Sequence, residues 1–193
     1  MSPLLVLASS SPYRARLLGQ LGLTFDTAAP GVDETRGPDE GPSAMVARLA
    51  RAKAAAVAAR HPEAVVLGSD QCLDLDGQVL GKPGGFDAAF AQLRAASGRT
   101  AVFRTAVCVL APGGTEVGCE EVPFAVTFRP LDDDQIRRYL LTDEPFDCAG
   151  AIRSEGRALA LMEHTESTDP SALMGLPLIR TSRLLETAGI DLL

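Results

Sequence analysis

The chain has 193 residues, of which 46% are hydrophobic and 22% are charged, so it can bury one substantial core. Its net charge of −7 argues against a nucleic acid polymer as partner, because binding a phosphate backbone requires a basic surface. No apolar run approaches the ~20 residues that span a membrane, no signal peptide is apparent, and the four cysteines lack paired spacing. We therefore predict a cytoplasmic protein with no membrane partner, formed by a single domain over residues 1–193.

The first predicted elements are a buried strand over residues 4–8 and a helix that begins at Pro12. Proline suits the first helical position because its missing N–H would have no partner there, and Ser11 is a favourable N-cap. Arg14 falls in the first turn, where a cation is unfavourable unless an anion lies beside it. This segment therefore predicts a phosphate site at a helix N-terminus, although a capped helix with a solvated arginine explains the pattern equally well.

The remaining elements alternate between helices and strands, with hairpins between them. The first of these are a helix capped by Ser43 and ending near Arg60, an apolar strand over 64–68, and a hairpin turn at Asp76-Gly77. They are followed by a helix over 87–97, a hairpin over 100–110 and 116–128, a helix over 133–141, a strand over 159–162, and a helix opened by Pro177. This order predicts an α/β fold with a mixed twisted sheet flanked by helices in two closely packed lobes.

Lysine is scarce in this chain, which has only Lys53 and Lys82 beside 16 arginines. An ammonium is a more compact charge than a guanidinium, so the two positions can have a specific requirement for lysine. Lys53 lies on the apolar stripe of its helix, at the spacing of the buried residues. A surface lysine that buries only its stem is the alternative.

The hairpin register predicts the position of Lys82. With Asp76-Gly77 as a two-residue loop, the strand pairing extends until Gln71 lies opposite Lys82. Asp70 follows the apolar strand at its carboxyl end, where α/β sheets place ligands. Strict alternation puts Asp70 on the other face from Gln71, so a bulge at Gly81 is expected to bring these side chains together.

Six segments in order carry a family resemblance. They are Leu7-Ala8-Ser9-Ser10-Ser11-Pro12-Tyr13-Arg14, Val32-Asp33-Glu34, Leu49-Ala50-Arg51-Ala52-Lys53-Ala54, Gly68-Ser69-Asp70, Gly81-Lys82-Pro83 and Gly175-Leu176-Pro177. Together they resemble the motif series of the Maf-family nucleotide pyrophosphatases. The resemblance implies a fold related to the inosine-triphosphate pyrophosphatases and hydrolysis of a nucleoside triphosphate to monophosphate and pyrophosphate. It also implies a divalent cation (Mg²⁺, Mn²⁺ or Co²⁺) and suggests a homodimer.

The same resemblance assigns roles to individual residues. Phosphates would be bound by four side chains, those of Ser9, Arg14, Lys53 and Lys82. Glu34 and Asp70 would hold the metal and the attacking water, with Asp70 as general base. The catalytic residues are then Asp70, Lys53 and Lys82. The chemistry is consistent, because a triphosphate needs its charge neutralised and Mg²⁺ typically uses one or two carboxylates.

Three positions depart from the commonest pyrimidine-specific pattern of the family: Tyr13, Gln71 and Glu155. These departures resemble the subfamily that acts on 7-methyl-GTP. Methylation makes guanine cationic, so stacking on Tyr13 would gain a cation–π interaction, and Glu155 could accept hydrogen bonds from the base edge. Packing of the helix is the alternative role of Tyr13. A dTTP/UTP pyrophosphatase and a nucleotide-binding regulator of cell division with little catalysis are the alternative functions.

Overall fold

The computed structural model describes residues 4–193, which form a seven-stranded sheet flanked by five helices. The strands are β1 (Leu4–Ala8), β2 (Asp26–Thr27), β3 (Ala64–Leu75), β4 (Gln78–Leu80), β5 (Thr100–Leu110), β6 (Glu116–Phe128) and β7 (Met162–Ser167). The helices are α1 (Pro12–Gly19), α2 (Pro42–Ala58), α3 (Phe86–Ala96), α4 (Asp133–Asp143) and α5 (Leu178–Thr187). No helix within these residues has the length and apolar character needed to cross a membrane.

The sheet is mixed, as the sequence predicts. Its strand order is β2-β1-β3-β5-β6-β7, and the short β4 pairs with β3. β1 runs parallel to β2 and β3, whereas the other neighbouring strands are antiparallel. Both predicted hairpins are confirmed, and Leu75 pairs with Gln78 across the Asp76-Gly77 turn. The capping box of Asp132 and Gln135 at the start of α4 is also present.

Buried side chains form three clusters along this sheet. One lies between α2 and one sheet face, and a second lies between the opposite face, α1 and α5. The third surrounds α3 and α4 at the far half of the long strands β3, β5 and β6. The helices therefore cover the sheet in two closely packed parts, and the long central strands pass through both. A single domain over the whole chain stays a prediction.

Two local predictions are wrong at the ends of elements. Ser43 does not cap α2, because Pro42 occupies the first helical position and Gly41 becomes the N-cap; the Ser43 hydroxyl hydrogen-bonds to Glu121 instead. Residues 157–161 form a 3₁₀ turn, and the strand begins only at Met162. Ala158 and Leu161 are buried at a spacing of three residues, which suits a 3₁₀ turn better than a strand.

The strand predicted over 64–68 is much longer in the structure. It continues through the polar residues Ser69, Asp70 and Gln71 as one 12-residue strand, β3. Asp70 therefore lies inside a strand, paired with Ala106 of β5, and its predicted place beyond the strand end is wrong. The parallel partner β1, in contrast, pairs only as far as Gly68. Over residues 69–72, β3 consequently has no strand neighbour on that edge, until β4 pairs with it from Leu73.

Gly68 allows α2 to pack directly against β3. A Cβ at this position would lie 2.3 Å from the carbonyl oxygen of Ala50 and 2.7 Å from the amide nitrogen of Ala54, both in the backbone of α2. Real side chains do not tolerate such distances, so any other residue would move the helix. This close contact fixes the height of α2 above the sheet and places Lys53 over Asp70.

We expect Gly68→Ala to lower the free energy of unfolding by about 1–3 kcal/mol, because overpacking forces α2 away from β3. Urea unfolding followed by circular dichroism measures this change. The matched control is Gly19→Ala at the end of α1, where nothing lies within 4 Å of an added Cβ. Equal stability of the two variants would contradict close packing at Gly68.

Candidate active site

A cavity of about 620 Å³ opens where β1 ends. It is lined by the first turn of α1, the middle of α2 and β3, the segment after β4, and loops around residues 147–155 and 173–175. All site residues predicted from the sequence lie in its wall: Ser9, Tyr13, Arg14, Glu34, Lys53, Asp70, Gln71, Lys82 and Glu155. The structure thus brings together residues that are up to 146 positions apart in the chain, from Ser9 to Glu155.

The centre of the cavity holds an ammonium between two carboxylates. Lys53 Nζ lies 2.6 Å from Asp70 Oδ1 and 2.8 Å from Glu34 Oε1. The side chains of Lys53 and Asp70 are only 6% and 8% exposed, whereas that of Glu34 is 60% exposed. A buried ammonium requires such partners, because its desolvation is otherwise costly. The alternative of a surface lysine is therefore excluded for Lys53.

Asp70 and Gln71 reach the same cavity without a bulge. The ladder of β3 with β4 has no register shift and ends at Leu80, so Gly81 lies outside the strand and the bulge expected there is wrong. The pairing of β3 with β5 also runs without a shift from Val66 to Asp74. The two side chains do point to opposite faces of β3, as alternation requires. Because β1 ends before this point, both faces of β3 border the same opening.

Lys82 lines the cavity from the loop after β4. The predicted pairing of Gln71 with Lys82 is wrong, because the ladder of β3 and β4 ends at Leu73 and Leu80. The Gly81 carbonyl leaves the ladder and accepts hydrogen bonds from the Gly150 amide at 3.1 Å and from Gln92 Nε2 at 3.2 Å. Lys82 is exposed on this loop, in contrast to the enclosed Lys53.

The N-terminus of α1 forms a second part of the wall. Ser9 Oγ accepts a hydrogen bond from the Ser11 amide at 3.1 Å, and Ser11 caps the helix as predicted. The Arg14 side chain is anchored by its Nε, which donates to the Gly175 carbonyl at 2.8 Å. Burial lowers the pKa of the Arg14 guanidinium, and the nearby carboxylates of Asp70 and Glu34 act in the opposite direction. The capped N-terminus of α1 and the Arg14 guanidinium thus lie beside the carboxylate–lysine cluster, an arrangement that suits an anion.

A separate group of side chains surrounds Tyr13. Burial raises the pKa of the Tyr13 hydroxyl, and the neighbouring Cys148 and Asp147 raise it further. Glu155 lies in the same wall and is exposed, and its Oε2 accepts a hydrogen bond from the Ser154 hydroxyl at 3.1 Å. Tyr13 and Arg14 are adjacent residues of α1 that face different neighbours. Tyr13 lies near Cys148 and Asp147, whereas Arg14 lies near the carboxylates of Asp70 and Glu34.

Gln71 has a structural role that the sequence did not suggest. Its Nε2 donates to the carbonyls of Ala172 at 2.8 Å and Leu173 at 3.1 Å, and to the Thr105 hydroxyl at 3.0 Å. These contacts attach the segment before Gly175 to β3. A contact of Gln71 with a bound base stays a prediction.

Two charged residues of the cavity wall were missed from the sequence. Arg36 lines the wall near Glu34, and its Nε donates to the Glu40 carbonyl at 2.6 Å. Its position two residues after Glu34 was the available signal. Asp147 lines the wall beside Tyr13, but no motif surrounds it in the sequence.

The two carboxylates at the centre fit a divalent cation. Within residues 4–193 no group of three or more histidine, cysteine, aspartate or glutamate side chains is arranged to hold a metal. Mg²⁺ does not need such a set, because it typically uses one or two carboxylates with waters and phosphate oxygens. Glu34 and Asp70 both contact one cation, the Lys53 ammonium, so their carboxylates face the same region of the cavity.

Comparison with known proteins places these motifs in a family. A family model described as "Maf-like protein" matches residues 4–188, which include every residue of the candidate site. The chain belongs to the Maf-like protein family. Among relatives of this Maf-like protein, one from Nitrosococcus oceani is 51% identical over 191 residues, covering 99% of this chain and 96% of the relative. One from Xanthomonas campestris pv. campestris is 50% identical over 192 residues and covers 100% of both chains. Both are named 7-methyl-GTP pyrophosphatase.

A solved structure is also similar to part of this Maf-like protein. It is a nucleoside-triphosphatase, also named dITP/XTP pyrophosphatase, from Mycobacterium abscessus, with 19% sequence identity and a TM-score of 0.43. The alignment covers 66% of this chain and 74% of that chain. The assignment of a mixed α/β fold rests on the strand order of this chain and on its family match.

Proposed function

We propose that this Maf-like protein is a metal-dependent nucleoside triphosphate pyrophosphatase whose substrate is 7-methyl-GTP. The observation that carries the proposal is the ion-paired cluster of Glu34, Lys53 and Asp70 in a cavity that is also lined by Tyr13 and Glu155. One part of this cavity offers cations and carboxylates for phosphate chemistry, and the other offers an aromatic ring and an acid for a base. The relatives named 7-methyl-GTP pyrophosphatase support the same substrate.

The cationic side chains of the cavity suit a triphosphate. Arg14, Lys53 and Lys82, with the Ser9 hydroxyl, would bind phosphate oxygens, and Arg36 adds a further charge at the wall. A substrate with about four negative charges requires this neutralisation, because a water nucleophile is repelled by an uncompensated polyphosphate. The global charge of −7 does not oppose binding, since the local cations face the cavity.

Hydrolysis would break the bond between the α- and β-phosphates. Water supplies the oxygen that bonds to phosphorus, its proton passes to Asp70, and pyrophosphate leaves with the bridging oxygen. Glu34 and Asp70 would hold a divalent cation (Mg²⁺, Mn²⁺ or Co²⁺), which when bound polarises phosphate oxygens and stabilises the developing charge. Lys53 keeps the two carboxylates together and compensates their charge.

The base would be recognised by Tyr13 and Glu155. A cationic 7-methylguanine stacked on the Tyr13 ring gains a cation–π interaction on the order of 1–2 kcal/mol when it is desolvated. The Glu155 carboxylate can accept hydrogen bonds from the guanine N1–H and exocyclic amine and also balance the charge of the base. Unmethylated guanine lacks the positive charge, so it loses both electrostatic contributions. A homodimer and a cytoplasmic location stay predictions.

We expect Asp70→Asn to lower kcat by about 10²- to 10⁴-fold with little change in substrate affinity, because the amide cannot accept the proton of water. Because both carboxylates would hold the metal, Asp70→Asn and Glu34→Gln should each raise the metal concentration needed for half-maximal activity, but only Asp70→Asn should keep a low kcat at saturating metal. Pyrophosphate release titrated with Mg²⁺ measures both effects.

The control for these variants is Asp33→Asn. Asp33 is adjacent to Glu34 in sequence, but its carboxylate hydrogen-bonds to Thr35 and does not line the cavity. This variant should retain the wild-type metal titration. An Asp70→Asn enzyme that keeps most of its kcat would remove Asp70 from the reaction, and an inactive wild type would favour a regulator that only binds nucleotides.

We expect Glu155→Gln to reduce the preference for 7-methyl-GTP over GTP by about 1–3 kcal/mol in kcat/KM, because the neutral amide no longer balances the charge of the base. Tyr13→Leu should weaken 7-methyl-GTP more than GTP. Glu163→Gln on the exposed edge strand β7 is the control and should leave the ratio unchanged. Equal losses on both nucleotides would contradict recognition of the base by these residues.

A further inference from the structure

The turn that carries Glu155 is fixed at both ends by side chains of α4. The Arg153 carbonyl accepts a hydrogen bond from the Gly156 amide at 3.0 Å, so Glu155 lies at the tip of a tight turn. The amides on either side of this tip, those of Arg153 and Arg157, are both bound by α4. An exposed turn tip has few contacts of its own, so these hydrogen bonds determine where the backbone that carries the Glu155 side chain lies.

Tyr139 holds the first end of the turn. Its hydroxyl, which is buried, donates to the Ala151 carbonyl at 3.0 Å and accepts from the Arg153 amide at 3.0 Å. The residue between these two contacts is Ile152, which lines the cavity. The hydroxyl thereby uses both its donor and its acceptor to fix the chain where it enters the turn.

Asp143 holds the second end, one helical turn further along α4. Its Oδ2 accepts from the Arg157 amide at 2.6 Å, and its side chain is almost fully buried. A Cβ on Gly156 would lie only 2.1 Å from this same Oδ2, so the turn rests directly on the carboxylate. Any side chain at position 156 would therefore displace the Asp143 carboxylate.

Tyr139 and Asp143 do not line the cavity, so any effect on the reaction passes through the turn. We propose that they are positioning residues for substrate specificity, which hold the Glu155 turn at the distance that selects a cationic base. This inference rests on the proposed function, because it gives Glu155 the role of reading the base. It extends that function to a helix that contributes no atom to the cavity wall.

The test compares kcat/KM for 7-methyl-GTP and GTP in Tyr139→Phe and Asp143→Asn, each alone and combined with Glu155→Gln. Phenylalanine removes only the hydroxyl, and asparagine keeps the shape of the side chain but weakens the charged acceptor. We expect each single variant to reduce the preference for 7-methyl-GTP by about 3- to 10-fold through a higher KM, with kcat unchanged, because a misplaced contact weakens binding. In the Glu155→Gln background neither substitution should reduce the preference further.

The matched control is Ile136→Val, which trims a fully buried side chain of α4 but keeps the Tyr139 and Asp143 hydrogen bonds to the turn. It should lower the thermal midpoint and leave the preference unchanged. The inference is overturned if Tyr139→Phe and Asp143→Asn keep the wild-type preference, lower kcat on both nucleotides equally, or reduce the preference as much without Glu155. If the wild type has no preference for 7-methyl-GTP, both the proposed function and this inference fail. If Glu155→Gln reduces the preference but Tyr139→Phe and Asp143→Asn do not, only this inference fails.

Discussion

The candidate site depends on the direct packing of α2 against β3 at Gly68. Because no side chain separates the two elements there, the helix backbone lies on the strand, and Lys53 reaches Asp70 while almost fully buried. The Lys53 ammonium also forms an ion pair with Glu34 from the loop before α2. It thereby compensates the charges of Glu34 and Asp70, which would otherwise repel each other. A helix one side chain further from the sheet would expose the lysine to water and separate these groups. The close packing of the two backbones at Gly68 is therefore what brings Lys53 and Asp70 together in the cavity.

The unequal lengths of β1 and β3 create the opening in which this cluster acts. β1 stops at Ala8, whereas β3 continues through Leu75, so polar residues on both faces of β3 border one cavity. The chain that leaves β1 enters α1, which supplies Arg14 near the carboxylates of Asp70 and Glu34, and Tyr13 near Cys148 and Asp147 in the same cavity. The far half of the sheet contributes through α4, which supports the Glu155 turn. The side chains proposed to bind the phosphates and the base thus come from different parts of the fold around a common strand.

Much of the fold and of the candidate site was predictable from the sequence because its signals are local. Hairpin turns, the Ser11 cap and the position of Lys53 on an apolar helix face depend on neighbouring residues, and all are confirmed. The continuity of β3 was not predictable, because Ser69, Asp70 and Gln71 resemble a strand end until their pairing with β5 is known. The support of the Glu155 turn by α4 was missed for the same reason. It joins residues that carry no motif and meet only in the folded chain.

The most direct test of the proposed chemistry is a competition experiment with the wild-type enzyme. Equal concentrations of 7-methyl-GTP, GTP, dTTP and UTP are incubated with enzyme and Mg²⁺, and the products are identified by ³¹P NMR and chromatography. A cavity with paired carboxylates, phosphate-binding cations and an aromatic–acidic group for the base predicts that 7-methyl-GTP is consumed first and yields 7-methyl-GMP and pyrophosphate. Release of orthophosphate and a nucleoside diphosphate, or faster consumption of dTTP or UTP, would contradict it.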